Sequence, residues 1–489
     1  MLIAGIDAGT QSVKTIIYDT QSKKIVASGK KELELHSGPN GEREQEASWW
    51  IDAIIDIFNN IPNDIKKDIS AIGVSGQQHG FVPLDKDGNI LTKVKLWCDT
   101  STDKEVQEIA EAYGGNEKLI KNVGNTIKVG YTASKILHLK KTNPELFEKM
   151  DSVLLPHDYI NYFLTGQIVM ERGDASGTGL LNIYQSCWDQ ELCNIIDKAL
   201  LDKLPTIVDS LSIIGTIRKE AATLLGLGQG TKVSAGGGDN MMAAIGTGIV
   251  ENGKAAISLG TSGTLFTSTS KLFVDNDGDI ASFSSSHGDW LPLLCTMNCT
   301  VASELWRKIL GLSAKEFDAI ASKAPIGSEG ITLLPFFNGE RVPNFPKGEG
   351  VLAGMNMSNM KIENIARAVI EGVTFEFVSG IEKFKSQGIA TDTIILTGGG
   401  SNSSFWRQMI SDMFNATVKV STNGEAAAFG AALQAYSAMT KQPITEICKA
   451  HISYDDSKET YPINGNNEKY KEAYNKWLEY VRLVTPRFS

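Results

Sequence analysis

The sequence predicts an α/β chain built as two copies of one plan, and three observations carry that prediction. First, "LIAGIDAG", "VKTIIYD" and "KIVASGKKELEL" follow one another at the N-terminus as short strand-like runs separated by turn residues. Second, the arrangement of strand, Gly-Thr turn and strand returns in "KAAISLGTSGTLFTST", Lys254 to Thr269. Third, "TDTIILTGGGSNSSFWRQMI" reads as strand, triple-glycine loop and helix, the same grammar as "KVSAGGGDNMMAAI". The two copies divide the chain into 1–248 and 249–489, with a hinge near Gly246 to Gly253. A cleft between two α/β halves is a favoured place for ligands.

The remaining elements follow from periodicity. Trp49, Trp50, Ile54, Ile55 and Phe58 mark one side of a helix after the third strand, and "ISAIGVSG" is a short buried strand. Ile362, Ile365, Ala366, Val369, Ile370, Val373 and Phe377 recur at the spacing of a buried helical face that begins near Lys361. From about Ser453 the chain is polar and then helical, with Tyr470, Tyr474, Trp477 and Val481 on one side, and reads as a packing appendage.

Composition excludes several classes. At 489 residues two or three domains are expected, and 42% hydrophobic with 21% charged residues is usual for globular proteins. A formal net charge of −10 lacks the basic face of a nucleic-acid binder. No apolar stretch reaches membrane-spanning length, and "MLIAGIDAGTQ" lacks the basic start of a secretion signal. Six scattered cysteines without a CxxC pair read as reduced thiols of a cytoplasmic protein.

Six stretches carry chemistry. In Asp7-Ala8-Gly9-Thr10-Gln11-Ser12 a glycine turn exposes backbone N–H groups, Thr10 and Ser12 add hydroxyls, and Lys14 lies nearby, a nest suited to phosphate oxygens. Asp7 would repel phosphate unless a cation stood between them, which points to Mg²⁺ held largely through water. The second copy of the turn, Gly260-Thr261-Ser262-Gly263, lacks the acid, and a clamp of two such turns needs only one. "SGQQHG" sets Gln77, Gln78 and His79 at a strand's carboxyl end, where open α/β sheets bind ligands, and "LWCDTST" adds Trp97 and Asp99 as an apolar platform beside an acceptor. Both suit a polyhydroxylated molecule; the plainer alternatives are a structural histidine and a buried tryptophan. In "TGGGSNS" a flat adenine could lie against Gly399 and Gly400, with Asn402 or Ser403 offering a hydrogen bond. Finally "SAGGGDNMMAAIGTG" places one carboxylate, Asp239, between three glycines and an apolar helix. An acid there suits a helix N-terminus on ordinary grounds, but a lone carboxylate on so permissive a backbone also suits a base facing a ligand. "GIVENGKA" comes close to a phosphate-binding P-loop, but has Ala255 at the metal-ligand position and leads into a strand.

Taken together, these stretches resemble the FGGY carbohydrate kinases. "GIDAGTQSVK", "SGQQHG", "LWCDTST", "LLPHDYINYFLTG", "GGGDNMMAAIGTG", "ISLGTSGTLF", "LPFFNGERVP" and "LTGGGSNSSFWRQM" stand in that family's order, and "GVLAGMNMSNMKIENIARAVIE" fits its second signature throughout. The resemblance covers about residues 2 to 440. Two departures stand out: His138 occupies a position where the first signature has tryptophan, and Gln78 stands where bacterial members acting on xylulose commonly have Met. The resemblance implies two duplicated actin-like ATPase (ribonuclease H-like) domains with a catalytic cleft between them. It implies ATP-dependent phosphorylation of a ketopentose, D-xylulose first, with ribulose, sedoheptulose or glycerol as alternatives and a non-kinase actin-like ATPase as a remote one. Asp239 becomes the general base with Asn240 beside it; Asp7 lies near Mg²⁺; Thr10 and Thr261 meet the phosphates; Gly399 and Gly400 underlie the adenosine; Gln78, His79 and Asp99 contact the sugar. The partners implied are sugar and ATP, with no nucleic acid or membrane, and a homodimer.

Overall fold

The computed structural model describes residues 1–337 and 339–488. Unit one is organised around the strands β1 (Leu2–Ala8), β2 (Ser12–Asp19), β3 (Lys24–Glu32), β4 (Ile69–Gly76) and β5 (Lys232–Ser234) and the helices α1 (Ala47–Asn59), α2 (Asp239–Thr247) and α3 (Ala426–Thr440). The sheet order is β5-β4-β1-β2-β3, with Ile213–Thr216 outside β5. β1, β2 and β3 pair antiparallel, whereas β4 runs parallel to β1 and β5 parallel to β4. Branched and small apolar residues fill it: Ile3, Ala4, Ile6, Ala8, Val13, Ile17, Ile72 and Val74 are fully buried. α1 covers one face with Trp50, Ile54 and Phe58, while Trp49 and Ile55 flank that stripe half-buried.

The close seat of α3 is dictated by glycines. Gly5 and Gly73 are register partners on β1 and β4, and a Cβ on them would lie 1.9 Å from Ala428 O and 1.9 Å from Ala431 O respectively. α2 crosses α3 just as tightly: a Cβ on Gly246 would stand 1.9 Å from Ala426 O, and one on Gly430 1.8 Å from Met242 O. Two helix backbones therefore meet with no side chain between them. The compact unit comprises Met1–Val250, Thr269–Leu291 and Glu425–Ile452. Its first segment ends two residues beyond Gly248, and two later segments return to complete it.

Unit two comprises Glu251–Ser268, Pro292–Gly424 and the chain from Ser453 onward. Its strands repeat the plan. Residues 293–296 pair antiparallel with Gly263–Thr267, which pairs antiparallel with Gly253–Leu259. Gly253–Leu259 then runs parallel to Thr391–Thr397, and that strand parallel to Thr417–Val420. Strand for strand this is the order β3-β2-β1-β4-β5. The duplication is therefore real, with one correction to the sequence reading. "TGGGSNS" follows the counterpart of β4, so its topological partner is "SGQQHG" and not the glycine loop before Asp239. The helix Ile362–Phe375 buries Ala366, Val369, Ile370 and Val373 as expected, but Ile362 is exposed, Ile365 is half-buried, and buried Phe377 lies beyond the helix end; the final helix Asn466–Phe488 buries Tyr470, Tyr474, Trp477 and Val481. Tyr470 accepts from Arg367 Nη2 at 2.6 Å and Trp477 donates to Leu333 O at 3.1 Å, which anchor the appendage.

Among the described residues no helix is long and apolar enough to cross a membrane, and all six cysteines are free thiols.

Candidate active site

Register alone assembles the acidic end of unit one. In the parallel ladder Asp7 of β1 stands opposite Ser75 of β4, and Ser75 in turn opposite Gly237. Three strand ends thus lie side by side, and the next residues in the chain are the Gly9-Thr10 turn, the Gln77-Gln78-His79 loop and Asp239. Ligands of open α/β sheets collect at such carboxyl ends.

Asp7 accepts a hydrogen bond from Ser75 Oγ at 2.8 Å. Desolvation raises its carboxyl to about 6, against the opposing pull of Ser75 and Lys14 and with some help from Glu425. Lys14 is paired with Glu425 at 2.6 Å. Asp239 is the first residue of α2, with Gly238 as the cap, and its Oδ1 accepts from Asn240 N at 2.7 Å and from Asn240 Nδ2 at 3.0 Å. Burial pushes its carboxyl up to about 7; the Asp7 charge adds to this and Asp174 adds less, while Asn240 pulls the other way. Both carboxylates keep a partly exposed face. A carboxyl held near 7 by burial, with a second acid adding to it, suits proton acceptance at neutral pH.

The other expected residues divide into two groups. Gln78, His79, Asn240, Thr10 and Trp97 join the strand-end cluster. Gln78 Oε1 accepts from Asn240 Nδ2 at 3.0 Å. Thr10 Oγ1 donates to Gln77 Oε1 at 3.0 Å and accepts from Trp97 Nε1 at 2.9 Å, so the Gly-Thr turn and the aromatic platform are tied together. His79 has φ +63, a left-handed backbone unusual for a residue with a side chain. Buried Lys135 holds it there, donating to His79 O at 2.7 Å and to Gly130 O at 2.7 Å, while the ring stacks on Tyr131 with centroids 4.4 Å apart. Gly177 O lies 2.6 Å from His79 Nδ1; a carbonyl only accepts, so that nitrogen carries a proton. Asp99, by contrast, is fully buried, and its oxygens accept from Arg43 N at 2.8 Å, Lys95 Nζ at 3.3 Å, and Ser101 N and Oγ at 3.0 and 2.5 Å. Its acceptor capacity is spent within its own neighbourhood. Ser12 is buried and Gln11 is exposed at the turn.

Unit two holds its own candidates. Gly260 O accepts from Thr300 N at 2.9 Å and from Thr300 Oγ1 at 2.8 Å, so the second Gly-Thr turn abuts the start of the helix Thr300–Ile309; Thr261 is exposed. Gly399, Gly400, Asn402 and Ser403 line a cavity of about 900 Å³ with Ser303, Arg307, Phe317, Asp318 and Phe405. That volume suits a nucleoside-sized ligand. Ser403 accepts from Trp406 N at 3.0 Å as a helix cap, which orients it within the wall.

Sequence reasoning missed the buried polar group behind the glycine loop. His157 Nδ1 lies 2.7 Å from Asp174 Oδ2, and His157 Nε2 lies 2.9 Å from Asp158 Oδ1, all three side chains being excluded from solvent. Burial alone would lower the imidazole's pKa, but the two carboxylates outweigh it and hold the ring protonated, well above its ordinary value. Glu171 fixes the turn beside them, accepting from Gly173 N at 2.7 Å and Asp174 N at 2.6 Å. The signal was the polar "PHD" and "GDASGT" inside otherwise apolar surroundings.

Among the described residues no cluster of three or more metal-ligating side chains forms. Asp7 alone, half-buried beside a second carboxylate and near a Lys14 already paired with Glu425, fits an ion held by one acid, waters and substrate oxygens, as Mg²⁺ commonly is.

Comparison with known proteins agrees with this architecture. Residues 2–246 match the N-terminal domain of the FGGY family of carbohydrate kinases, and residues 255–439 match the C-terminal domain. The chain is 41% identical to the xylulose kinase of Haemophilus influenzae, over 98% of this chain and 99% of that protein. Two solved structures from Lactobacillus acidophilus, a ligand-bound xylulose kinase and a gluconate kinase, each superimpose with a TM-score of 0.93 at 26% identity, covering 100% of this chain and 99% of theirs. With both family domains matched in order on a doubled α/β plan, the chain belongs to the FGGY family of carbohydrate kinases and is an ATP-dependent sugar kinase.

Proposed function

We propose that this kinase phosphorylates D-xylulose to D-xylulose 5-phosphate, with Asp239 as general base and Mg²⁺-ATP as donor. The observation that carries the reading is the strand register that brings Asp7 and the glycine-bounded Asp239 to strand ends on either side of β4, with the Gln77-Gln78-His79 loop between them. A sugar hydroxyl is a poor nucleophile, and phosphoryl transfer rests on positioning and charge stabilisation. Asp239 orients the attacking hydroxyl and accepts its proton as the oxygen–phosphorus bond forms and the bond to ADP breaks. His79 and Trp97 hold the sugar; Thr10 and Thr261 meet the phosphates; the cavity lined by Gly399 and Gly400 takes the adenosine. Asp7 would hold Mg²⁺, which when bound would supply positive charge beside the phosphates.

The experiment is ADP release measured against D-xylulose, ribulose, sedoheptulose, glycerol and gluconate. The reading expects the highest kcat/KM on D-xylulose by at least about tenfold, or ~1.4 kcal/mol. Gluconate belongs in the panel because a solved relative of that description is equally similar in fold. A higher kcat/KM on any other member would overturn the substrate assignment.

A further inference from the structure

The carboxylate proposed as base does not stand alone; a line of amides and carboxylates runs from it through half-buried Asn240 to buried Gln78 and Asp174 in the interior of unit one. Asn240 Nδ2 donates both to Asp239 Oδ1 and to Gln78 Oε1, each at 3.0 Å. An ionised carboxylate only accepts, so the Asn240 amide must turn its nitrogen toward Asp239, and Gln78 must then offer its oxygen to Asn240. The Gln78 nitrogen consequently points away, toward Asp174. Burial raises the Asp174 carboxyl, and the Gln78 carboxamide stands close enough to oppose that shift after His157, although neither Gln78 Nε2 nor Asp174 Oδ1 completes an aligned hydrogen bond. Both flank the same glycine: a Cβ on Gly238 would stand 2.7 Å from Gln78 Cγ and 2.9 Å from Asp174 Oδ1. Asp174 itself is held by His157 on one oxygen and by Glu171 through its backbone N–H. Asp174 and His157 have no solvent exposure, so they cannot touch the sugar.

We propose that Asp174, seated by His157, is a positioning residue: it fixes the direction of the Gln78 carboxamide, which through Asn240 sets the orientation of the Asp239 carboxylate. The proposal rests on the reading of Asp239 as the base. It gives Gln78, a position where the resemblance leads one to expect Met, a role in arranging the base. Polarity makes it testable. In Asp174→Asn the oxygen must remain toward the His157 N–H, so the new NH2 faces Gln78 Nε2, donor against donor. Gln78 then turns over and presents its own nitrogen to Asn240, whose grip on Asp239 is lost. In a Gln78→Met background there is no amide to turn.

The experiment is a double-mutant cycle in kcat, with KM for sugar and ATP measured throughout. Asp174→Asn alone is expected to lower kcat about tenfold with both KM values within about twofold of the parent. Added to Gln78→Met it is expected to lower kcat by no more than about twofold further. A purely structural role predicts the same loss in both backgrounds, and that multiplicative outcome overturns the proposal. If Asp174→Asn does not fold, Gln78→Glu decides: it keeps an acceptor for Asn240 but sets an acceptor against Asp174, and an unchanged kcat at pH 8 overturns the proposal while a loss of about tenfold supports it. Asp239→Asn belongs in the same series. If it keeps near-parental kcat, the base assignment and the positioning role fall together; if it is inactive while the cycle is multiplicative, only the positioning role falls.

Discussion

Replacing Asp239 by Asn separates a base from a helix-capping acid, because the two roles move stability in opposite directions. Folding at pH 8 carries this carboxylate ionised although its surroundings hold it near 7, against 3.8 for a free aspartate. That difference corresponds to a destabilisation of up to about 4 kcal/mol, reduced by the water at its partly exposed face. Between pH 4 and 7 the folded chain binds more proton than the unfolded one. The penalty therefore grows as pH rises through that window and is absent below it. Asn is nearly isosteric and keeps an acceptor for the Asn240 N–H, but it cannot become charged or accept a proton at neutral pH. Asp239→Asn should lower kcat by at least about a hundredfold while raising Tm at pH 8 by several degrees and leaving it unchanged at pH 4. An acid that merely served the first turn of α2 predicts near-normal turnover and a loss of roughly 0.3–1 kcal/mol. Thermal denaturation at the two pH values, together with steady-state kinetics, makes the comparison. A variant with parental kcat and a Tm at pH 8 no higher than the parent's would refute the reasoning.

Three further outcomes are expected. Asp7→Ala should raise the Mg²⁺ concentration for half-maximal rate at least about tenfold, since ion binding here leans on one carboxylate, and should leave sugar KM within about twofold; a collapse of sugar binding with normal Mg²⁺ dependence contradicts the assignment. His79→Ala should raise KM for sugar far more than for ATP, and Lys135→Met should do the same because it releases the His79 carbonyl; equal effects on both substrates would return His79 to a structural role. Gly430→Ala places a methyl 1.8 Å from Met242 O, and forcing α2 and α3 apart should cost about 3 kcal/mol or more, seen as a lowered denaturation midpoint; a parental midpoint would mean the crossing yields.

The strand plan and its duplication were legible because branched apolar runs and Gly-Thr turns are local signals, and Asp239 was legible because a carboxylate among glycines and small residues has few ordinary uses. What escaped was non-local. "TGGGSNS" and "SAGGGDN" look alike as strings, yet strand pairing puts the first after the counterpart of β4 and the second after β5; register is decided by partners far away in sequence. Asp99 looked like a sugar acceptor because its spacing from Trp97 suits one, and only the fold reveals that Arg43, Lys95 and Ser101 occupy it. His157 sat inside "LLPHDYINYFLTG" and Asp174 inside "GDASGT", but neither string says what those side chains hold. Their meaning lies in which glycine they stand behind.

The tight seat of α3 also bears on how the chain comes into being. α3 is translated nearly two hundred residues after α2, yet Gly5, Gly73 and Gly246 are shaped to receive its backbone. Until then a nascent chain carries β1 to β5 with a furrow where α3 belongs, exposing apolar strand faces that the finished molecule hides. Segments 251–268 and 292–424 emerge in the interval. Catalytic competence therefore arrives late in synthesis. A ribosome that stalls before Glu425 would release a polypeptide containing Asp7, His79 and Asp239 but no helix to brace them, a natural client for chaperones and proteases.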